Sequence, residues 1–169
     1  MEYFVYLNTV GSADNGKNII PFDGESLVYN NKGDLIAIGK KFKEEILFVD
    51  FDNASDISKP SYNREKDIFE ALVMGLKDYA HQTGFKKATI SVSGGIDSAL
   101  GLVIAVEAFG KDNVIAYNLP SKFNTEITKN IAKKLADNLD VTYKIIPIEE
   151  IDDKIRKVFC AHAHEIKIK

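Results

Sequence analysis

Residues 91–100 have the sequence SVSGGIDSAL, which joins an apolar run at residues 88–92 to an apolar helical segment. Gly94 and Gly95 allow the backbone to approach an anion closely and to turn its N–H groups inward. The N-terminus of the following helix adds positive potential at the same place. A strand, a glycine turn and a helix in this order predict a phosphate-binding loop.

The side chains of this loop refine the prediction. Ser93 and Ser98 can donate hydroxyl hydrogen bonds to phosphate oxygens. Asp97 would repel a phosphate unless a cation lay between them, so its carboxylate predicts a Mg²⁺ ligand. We expect Ile96 to point back into the core and anchor the loop. The alternative is an ordinary glycine-rich turn in which Asp97 is only the helix N-cap.

The hydrophobic pattern on either side of the loop alternates between strands and helices. Three strand–helix repeats predict an α/β fold with a parallel sheet, right-handed crossovers and a ligand site where strands end and helices begin. Gly101, inside the helix after the loop, indicates a close approach to the sheet. The predicted strands are residues 88–92, 114–118 and 141–146, and the predicted helices are residues 98–109, 127–139 and 149–158.

The first part of the chain has a different pattern, in which strands and turns are predicted without helices. Strands are predicted at residues 3–7, 26–29, 35–38 and 46–51, with a hairpin closed by the NNKGD turn at residues 30–34. The DNGK stretch at residues 14–17 is interpreted as a turn. Polar residues 53–63 form a predicted linker, and a helix is expected to follow until Gly84 ends it.

Composition excludes several classes of function. The chain has 169 residues, a net charge of −3 and no basic field, so a nucleic-acid partner is not expected. Its single cysteine, Cys160, excludes an intramolecular disulfide and suits the reducing cytoplasm. The N-terminus lacks the features of a signal peptide, and no apolar run is long enough for a membrane span.

The loop pattern is neither a Walker-type loop nor a dinucleotide fingerprint. It resembles the PP-loop of the ATP pyrophosphatases, and its flanks resemble the glutamine-dependent NAD synthetases. Residues 69–121, FEALVMGLKDYAHQTGFKKATISVSGGIDSALGLVIAVEAFGKDNVIAYNLPS, are similar to the start of the synthetase domain, and residues 123–151 continue the resemblance. YLNTVG at residues 6–11 and IIPFDGESLVYNNKGDLIAIG at residues 19–39 resemble the end of the preceding nitrilase-type glutaminase domain.

The resemblance implies a domain order. Residues 1–52 would be the β-rich remnant of a nitrilase-type α/β sandwich, and residues 53–64 would be a linker. Residues 65–169 would be the first part of a parallel-sheet, adenine nucleotide alpha hydrolase-like (Rossmann-like) PP-loop domain.

The resemblance also implies a reaction. The nicotinate carboxylate of deamido-NAD attacks the α-phosphate of ATP, and ammonia then converts the adenylate to NAD with release of AMP. ATP is the substrate and Mg²⁺ the cofactor, with Asp97 as metal ligand and adenosine near the end of the second strand of the sheet. The implied ATP-binding residues are Ser91, Val92, Ser93, Gly94, Gly95, Ile96, Asp97, Ser98, Leu119, Pro120 and Ser121.

The chain departs from the family pattern at both ends. The glutaminase cysteine is absent, Cys160 lies in the wrong domain to replace it, and residues 158–169 do not resemble the synthetase, so we expect a truncated chain. Two alternatives stay open: another PP-loop adenylating enzyme, or a non-catalytic fragment that binds nucleotide or associates. Because a partial nitrilase sheet would expose apolar edges, a homo-oligomer is expected.

The C-terminal segment CAHAH offers a second candidate metal site. Cys160, His162 and His164 would lie along one face of an extended segment. With no fourth ligand in the sequence, we favour a frayed terminal tail.

Overall fold

The computed structural model describes residues 2–58, 61–120 and 126–163. The chain divides into two compact units, Met1–Phe85 and Lys86–Lys169. Each unit contains its own sheet and is described separately.

The described residues of the first unit form five strands in two antiparallel sheets. β1 (Phe4–Tyr6), β4 (Leu27–Tyr29) and β5 (Leu35–Ile38) form a three-stranded sheet in the order β1-β4-β5. β2 (Val10–Asp14) pairs with β3 (Ile19–Asp23) as a separate hairpin. The strands predicted near residues 3–7, 26–29 and 35–38 are therefore confirmed.

Both predicted turns are present. In the β4–β5 turn the Asn30 side chain accepts hydrogen bonds from the backbone N–H groups of Lys32 and Asp34, each at 2.9 Å. Gly33 takes a φ of +86°, which favours glycine. At the DNGK turn the Asp14 side chain accepts from the Gly16 N–H at 2.7 Å, and this turn closes a hairpin whose strands the sequence did not predict.

The strand predicted at residues 46–51 is wrong. This stretch is irregular and ends in a turn in which the Asp50 carboxylate accepts from the backbone N–H groups of Asp52 and Asn53. A strand needs a partner backbone, and the carbonyl of Leu35 on β5 instead accepts from the N–H of Ile57 at 2.8 Å. Phe48 is consequently 90% exposed.

The helix α1 (Arg64–Thr83) packs on the β2–β3 hairpin of the first unit. Its N-cap is Asn63, whose side chain accepts from the N–H of Lys66 at 2.9 Å, and Gly84 ends it in the left-handed conformation, as predicted. The Ser12 hydroxyl donates to the Asp78 carboxylate at 2.9 Å across this contact. The compact units therefore divide after Phe85, later in the chain than the domain boundary predicted from the sequence.

Lys41, which follows β5 in the chain, forms an ion pair with the first turn of α1. Its ammonium lies 2.6 Å from the Asp67 carboxylate and 3.5 Å from that of Glu25. The hydrogen bond to Asp67 is the largest cause of a raised pKa for Lys41. The side chains of Glu25 and Asp67 are 28% and 20% exposed, so their ion pairs with Lys41 are screened less than fully exposed ones.

The second unit is the predicted parallel sheet with helical crossovers. β6 (Ala88–Ser91) pairs with β7 (Val114–Asn118) and β7 with β8 (Thr142–Ile145), both in parallel, in the order β6-β7-β8. A short 3₁₀ helix at Lys111–Asn113 precedes β7. The elements are β6 (Ala88–Ser91), α2 (Ile96–Phe109), β7 (Val114–Asn118), α3 (Glu126–Asn138), β8 (Thr142–Ile145) and α4 (Glu149–Ala163).

The core of this unit lies between the sheet and the helices α2 and α3. A Cβ on Gly101 would lie 3.0 Å from the Ile90 Cδ1 atom, which confirms the close approach predicted for this glycine. Of the apolar stripe on α3, Leu135 and Leu139 pack against the core, whereas Ile127 is 71% exposed. The fully buried core side chains are Val92, Leu102, Ala116, Ala132 and Ala136, each at 0% exposure.

Across the described ranges, no helix is both long and apolar enough to cross a bilayer.

The Asn63 cap gives a test of how α1 is fixed. Asn63→Ala should lower the free energy of unfolding by about 1 kcal/mol, because the Lys66 N–H loses its acceptor. Asn63→Asp should stay within a few tenths of a kcal/mol of the original protein, since it keeps the acceptor. Urea unfolding followed by circular dichroism measures both, and equal stability of the two variants would contradict the capping role.

Candidate functional site

The loop at residues 92–95 begins where β6 ends, at the carboxyl edge of the parallel sheet. Val92 is fully buried, and its N–H donates to the carbonyl of Tyr117 at 2.7 Å. The Asn118 side-chain amide donates to the carbonyl of Val92 at 2.9 Å. β7 therefore holds the start of the loop through the backbone N–H and the carbonyl of Val92.

Two serine hydroxyls meet across the loop. The hydroxyl oxygens of Ser93 and Ser98 are 3.2 Å apart, and Ser98 Oγ donates to the carbonyl of Gly95 at 3.0 Å. Ser98 Oγ also accepts from the N–H of Ser93 at 3.2 Å. Because Ser98 has one hydroxyl hydrogen, Ser93 Oγ is the donor between the two serines. Binding a phosphate oxygen would require one or both hydroxyls to rotate toward it.

The two loop glycines have different requirements. Gly94 has a φ of +92°, and a Cβ there would lie 2.4 Å from the carbonyl oxygen of Thr128 on α3. Gly95 has a φ of −84°, and the nearest atom to an added Cβ is Ser93 Oγ at 3.6 Å. Only Gly94 is therefore required to be glycine by both conformation and space.

The prediction that Ile96 points into the core and anchors the loop is wrong, because this side chain is 80% exposed. Helix α2 begins at Ile96 with Gly95 as N-cap, so Ile96 is its first helical residue and faces outward. The buried side chains of Val92 and Leu102 pack in the core on either side of it in the sequence.

The interpretation of Asp97 as a simple N-cap is also wrong. The N-cap is Gly95, which makes no side-chain capping bond, and Asp97 lies exposed in the first turn of α2. Its carboxylate is therefore accessible in the first turn of α2, where Ser98 follows it in the sequence. Ser91, the last residue of β6, is also exposed.

The segment predicted to lie near adenosine follows β7. β6 and β7 are neighbours, with Ser91 paired to Tyr117, so the ends of both strands lie at the same edge. Leu119 is 39% exposed, whereas Pro120 is buried and its carbonyl accepts from the N–H of Ile148 at 3.1 Å. Ser121, Lys122 and the rest of the connection to α3 lie outside the described residues.

The structure adds two polar residues that the sequence interpretation missed, the buried Asn118 and the half-buried Tyr143. Asn118 is 2% exposed, and Tyr143 on β8 buries its hydroxyl with no hydrogen-bond partner in the described part of the chain. Burial raises the pKa of Tyr143, and the neighbouring Asn118 side chain offsets part of that rise. The signal for Asn118 was a polar residue at the inward position of the apolar run VIAYN.

No group of three His, Cys, Asp or Glu side chains able to hold a metal occurs among the described residues. The side chains of Cys160 and His162, and all of His164, lie outside them. The backbone of α4 continues to Ala163. The predictions of an extended segment and of a frayed tail are therefore both wrong for residues 160–163.

Comparison with known proteins identifies the family. The NAD synthase family model matches residues 68–168, more than half of the chain and the whole of the loop. The expectation that the chain departs from the family at residue 158 is therefore wrong as far as residue 168. The chain belongs to the NAD synthase family.

Individual relatives within the family agree. The chain is 37% identical to the glutamine-dependent NAD(+) synthetase of a Synechocystis species, over 87% of this chain and 27% of the relative. It is 33% identical to that of Thermotoga maritima, over 86% of this chain and 31% of the relative. The chain therefore spans about a quarter to a third of the length of these relatives.

Solved structures of the family give the same result. The glutamine-dependent NAD⁺ synthetase of Acinetobacter baumannii, solved in complex with ADP, matches with a TM-score of 0.84 and 30% identity. The match covers 99% of this chain and 32% of that one. The synthetase from Cytophaga hutchinsonii, at 19% identity and a TM-score of 0.75, supports the fold alone.

The difference between Gly94 and Gly95 in their tolerance of a side chain can be measured as a difference in stability. Gly94→Ala should destabilise the second unit by about 2–4 kcal/mol, because the new Cβ meets the Thr128 carbonyl in a strained conformation. Gly95→Ala is the matched control and should change stability by less than about 1 kcal/mol. Amide hydrogen exchange of β6 measures both, and similar effects would contradict this loop geometry.

Tyr143→Phe tests the buried hydroxyl. Removing a buried hydroxyl without a partner should leave the free energy of unfolding unchanged or raise it by about 1 kcal/mol. Hydrogen exchange at the β7 and β8 amides measures the change. A loss above about 1 kcal/mol would show that the hydroxyl has a partner that stabilises the fold.

Proposed function

We propose that the second unit binds ATP with Mg²⁺ at residues 93–98. The observation that carries this proposal is the convergence of the Ser93 and Ser98 hydroxyls at the N-terminus of α2, beside Gly94, whose positive φ and contact with Thr128 leave no room for a Cβ. Backbone amides and the helix dipole favour an anion at this position. The family relative solved with ADP supports a nucleotide as that anion.

Asp97 suits a Mg²⁺ ion shared with the nucleotide. Mg²⁺ is usually held by one or two carboxylates together with substrate phosphates and water. An exposed carboxylate in the first turn of α2 fits that arrangement, because no complete protein cage is needed. The ion would neutralise charge on the phosphates and on the leaving pyrophosphate.

The proposed reaction is the adenylation of deamido-NAD and its amidation by ammonia, which in the relatives' longer chains comes from glutamine. The contribution of this chain would be orientation and electrostatics. Ser93 and Ser98 would donate hydrogen bonds to phosphate oxygens, and Gly94 would bring the backbone N–H groups within reach of them. No side chain in the loop has to act as a nucleophile.

The finer description of the fold is also a proposal. We infer that residues 1–52 correspond to the end of a nitrilase-type glutaminase domain. Residues 65–169 would then be the start of an adenine nucleotide alpha hydrolase-like domain, so that α1 belongs to it although α1 packs within the first compact unit. The resemblance of residues 6–11 and 19–39 to the nitrilase-type domain supports the first assignment, and the order β6-β7-β8 with helical crossovers supports the second.

Isothermal titration with ATP and Mg²⁺ tests the binding site. The chain should bind Mg·ATP saturably, and Asp97→Asn should weaken binding tenfold or more by removing the metal ligand. Asp112→Asn is the control, since Asp112 is exposed beyond the opposite end of α2 and carries the same charge. A folded, soluble chain that gives no binding heat would overturn the proposal, as would equal effects of both substitutions.

The choice of acceptor needs a separate assay. Pyrophosphate release should depend on deamido-NAD and not on xanthylate or tRNA. Release driven by either of the other acceptors would assign the chain to a different PP-loop reaction. If the chain binds nucleotide but releases no pyrophosphate with any acceptor, it is a nucleotide-binding fragment without this activity.

A further inference from the structure

Asn118 is a buried polar side chain in a position that otherwise takes apolar residues. Along β7 the inward-facing residues are Val114, Ala116 and Asn118, all nearly or fully buried. A strand packed against helices needs apolar side chains on the face that it turns toward them, and burying an amide without a partner would cost free energy. Asn118 therefore requires a specific hydrogen bond to account for its place.

That hydrogen bond ends at the entrance of the phosphate loop. The β6–β7 ladder reaches Ser91 and Tyr117, and the chain then leaves the sheet toward Ser93. The Asn118 amide nevertheless donates to the carbonyl of Val92 at 2.9 Å. Its side chain thus adds a second interstrand hydrogen bond at Val92, the first residue of the loop, beside the bond from the Val92 N–H to Tyr117.

The backbone of Asn118 holds the neighbouring strand. Its carbonyl accepts from the N–H of Ile146, just beyond β8, at 2.9 Å. The ends of all three strands of the sheet are therefore joined at Asn118 on the edge that carries the loop. Leu119, which follows directly, begins the segment assigned to adenosine.

We propose that Asn118 is a positioning residue for nucleotide binding, acting through the carbonyl of Val92. This inference rests on the proposed ATP site and deepens it. Asn118 is too buried to touch the nucleotide, but it fixes the direction in which the backbone enters Ser93 and Gly94. Without its amide, Val92 would keep only the N–H bond to Tyr117 and could rotate.

The test separates positioning from general stability. Asn118→Leu keeps the branch at Cγ and removes the donor, so its affinity for Mg·ATP should fall about tenfold. Val114→Ala, at the opposite end of the inner face of β7, is the matched control. It should lose stability through a cavity while its affinity stays within twofold of the original protein. Isothermal titration at a temperature where each variant is folded gives the affinities.

A measurement on the unaltered chain covers the case in which Asn118→Leu fails to fold. In a nitrogen-15 NMR spectrum the side-chain amide of Asn118 should exchange slowly with solvent and should shift when Mg·ATP saturates the chain. An affinity of Asn118→Leu within twofold of the original would overturn the inference, as would an unshifted, rapidly exchanging amide. If the unaltered chain does not bind Mg·ATP, the proposed function itself fails.

Discussion

The parallel pairing of β6 with β7 is the constraint on which the second unit depends. It brings the end of β6 beside the end of β7, although the whole of α2 separates them in the chain. Val92 is bound at that point by Tyr117 and Asn118, and its side chain fills the core. Because the loop starts from a fixed backbone, Ser93, Gly94 and Ser98 can hold a defined geometry despite their exposure.

Close contact with α3 adds a second constraint on the loop. Gly94 lies against the backbone of Thr128, so the loop and the first turns of α3 cannot move independently. The fully buried side chains of α3 that face the sheet are alanines, which allow the helix to approach closely. The packing of small residues in the core is thus linked to the shape of the site at its edge.

The sequence correctly predicted the features that depend on residues close together in the chain. SVSGGIDSAL carries its turn, its hydroxyls and its helix start within ten residues, and Gly84 stops α1 through its own conformation. The strand predicted at residues 46–51 failed because an apolar pattern cannot show whether a partner strand exists. The β2–β3 hairpin was missed because β3 contains Pro21 and neither strand has a buried residue, which weakens the alternating pattern. Asn118 was missed because its role depends on Val92, far from it in the sequence.

The most direct test of this account is a crystal structure of the chain with Mg²⁺ and a non-hydrolysable ATP analogue. The account predicts phosphate oxygens within hydrogen-bonding distance of the Ser93 and Ser98 hydroxyls, with the metal bound to Asp97 and adenosine beside Leu119. Phosphates bound elsewhere, or a loop whose Val92 carbonyl has left Asn118 while the nucleotide is bound, would contradict it.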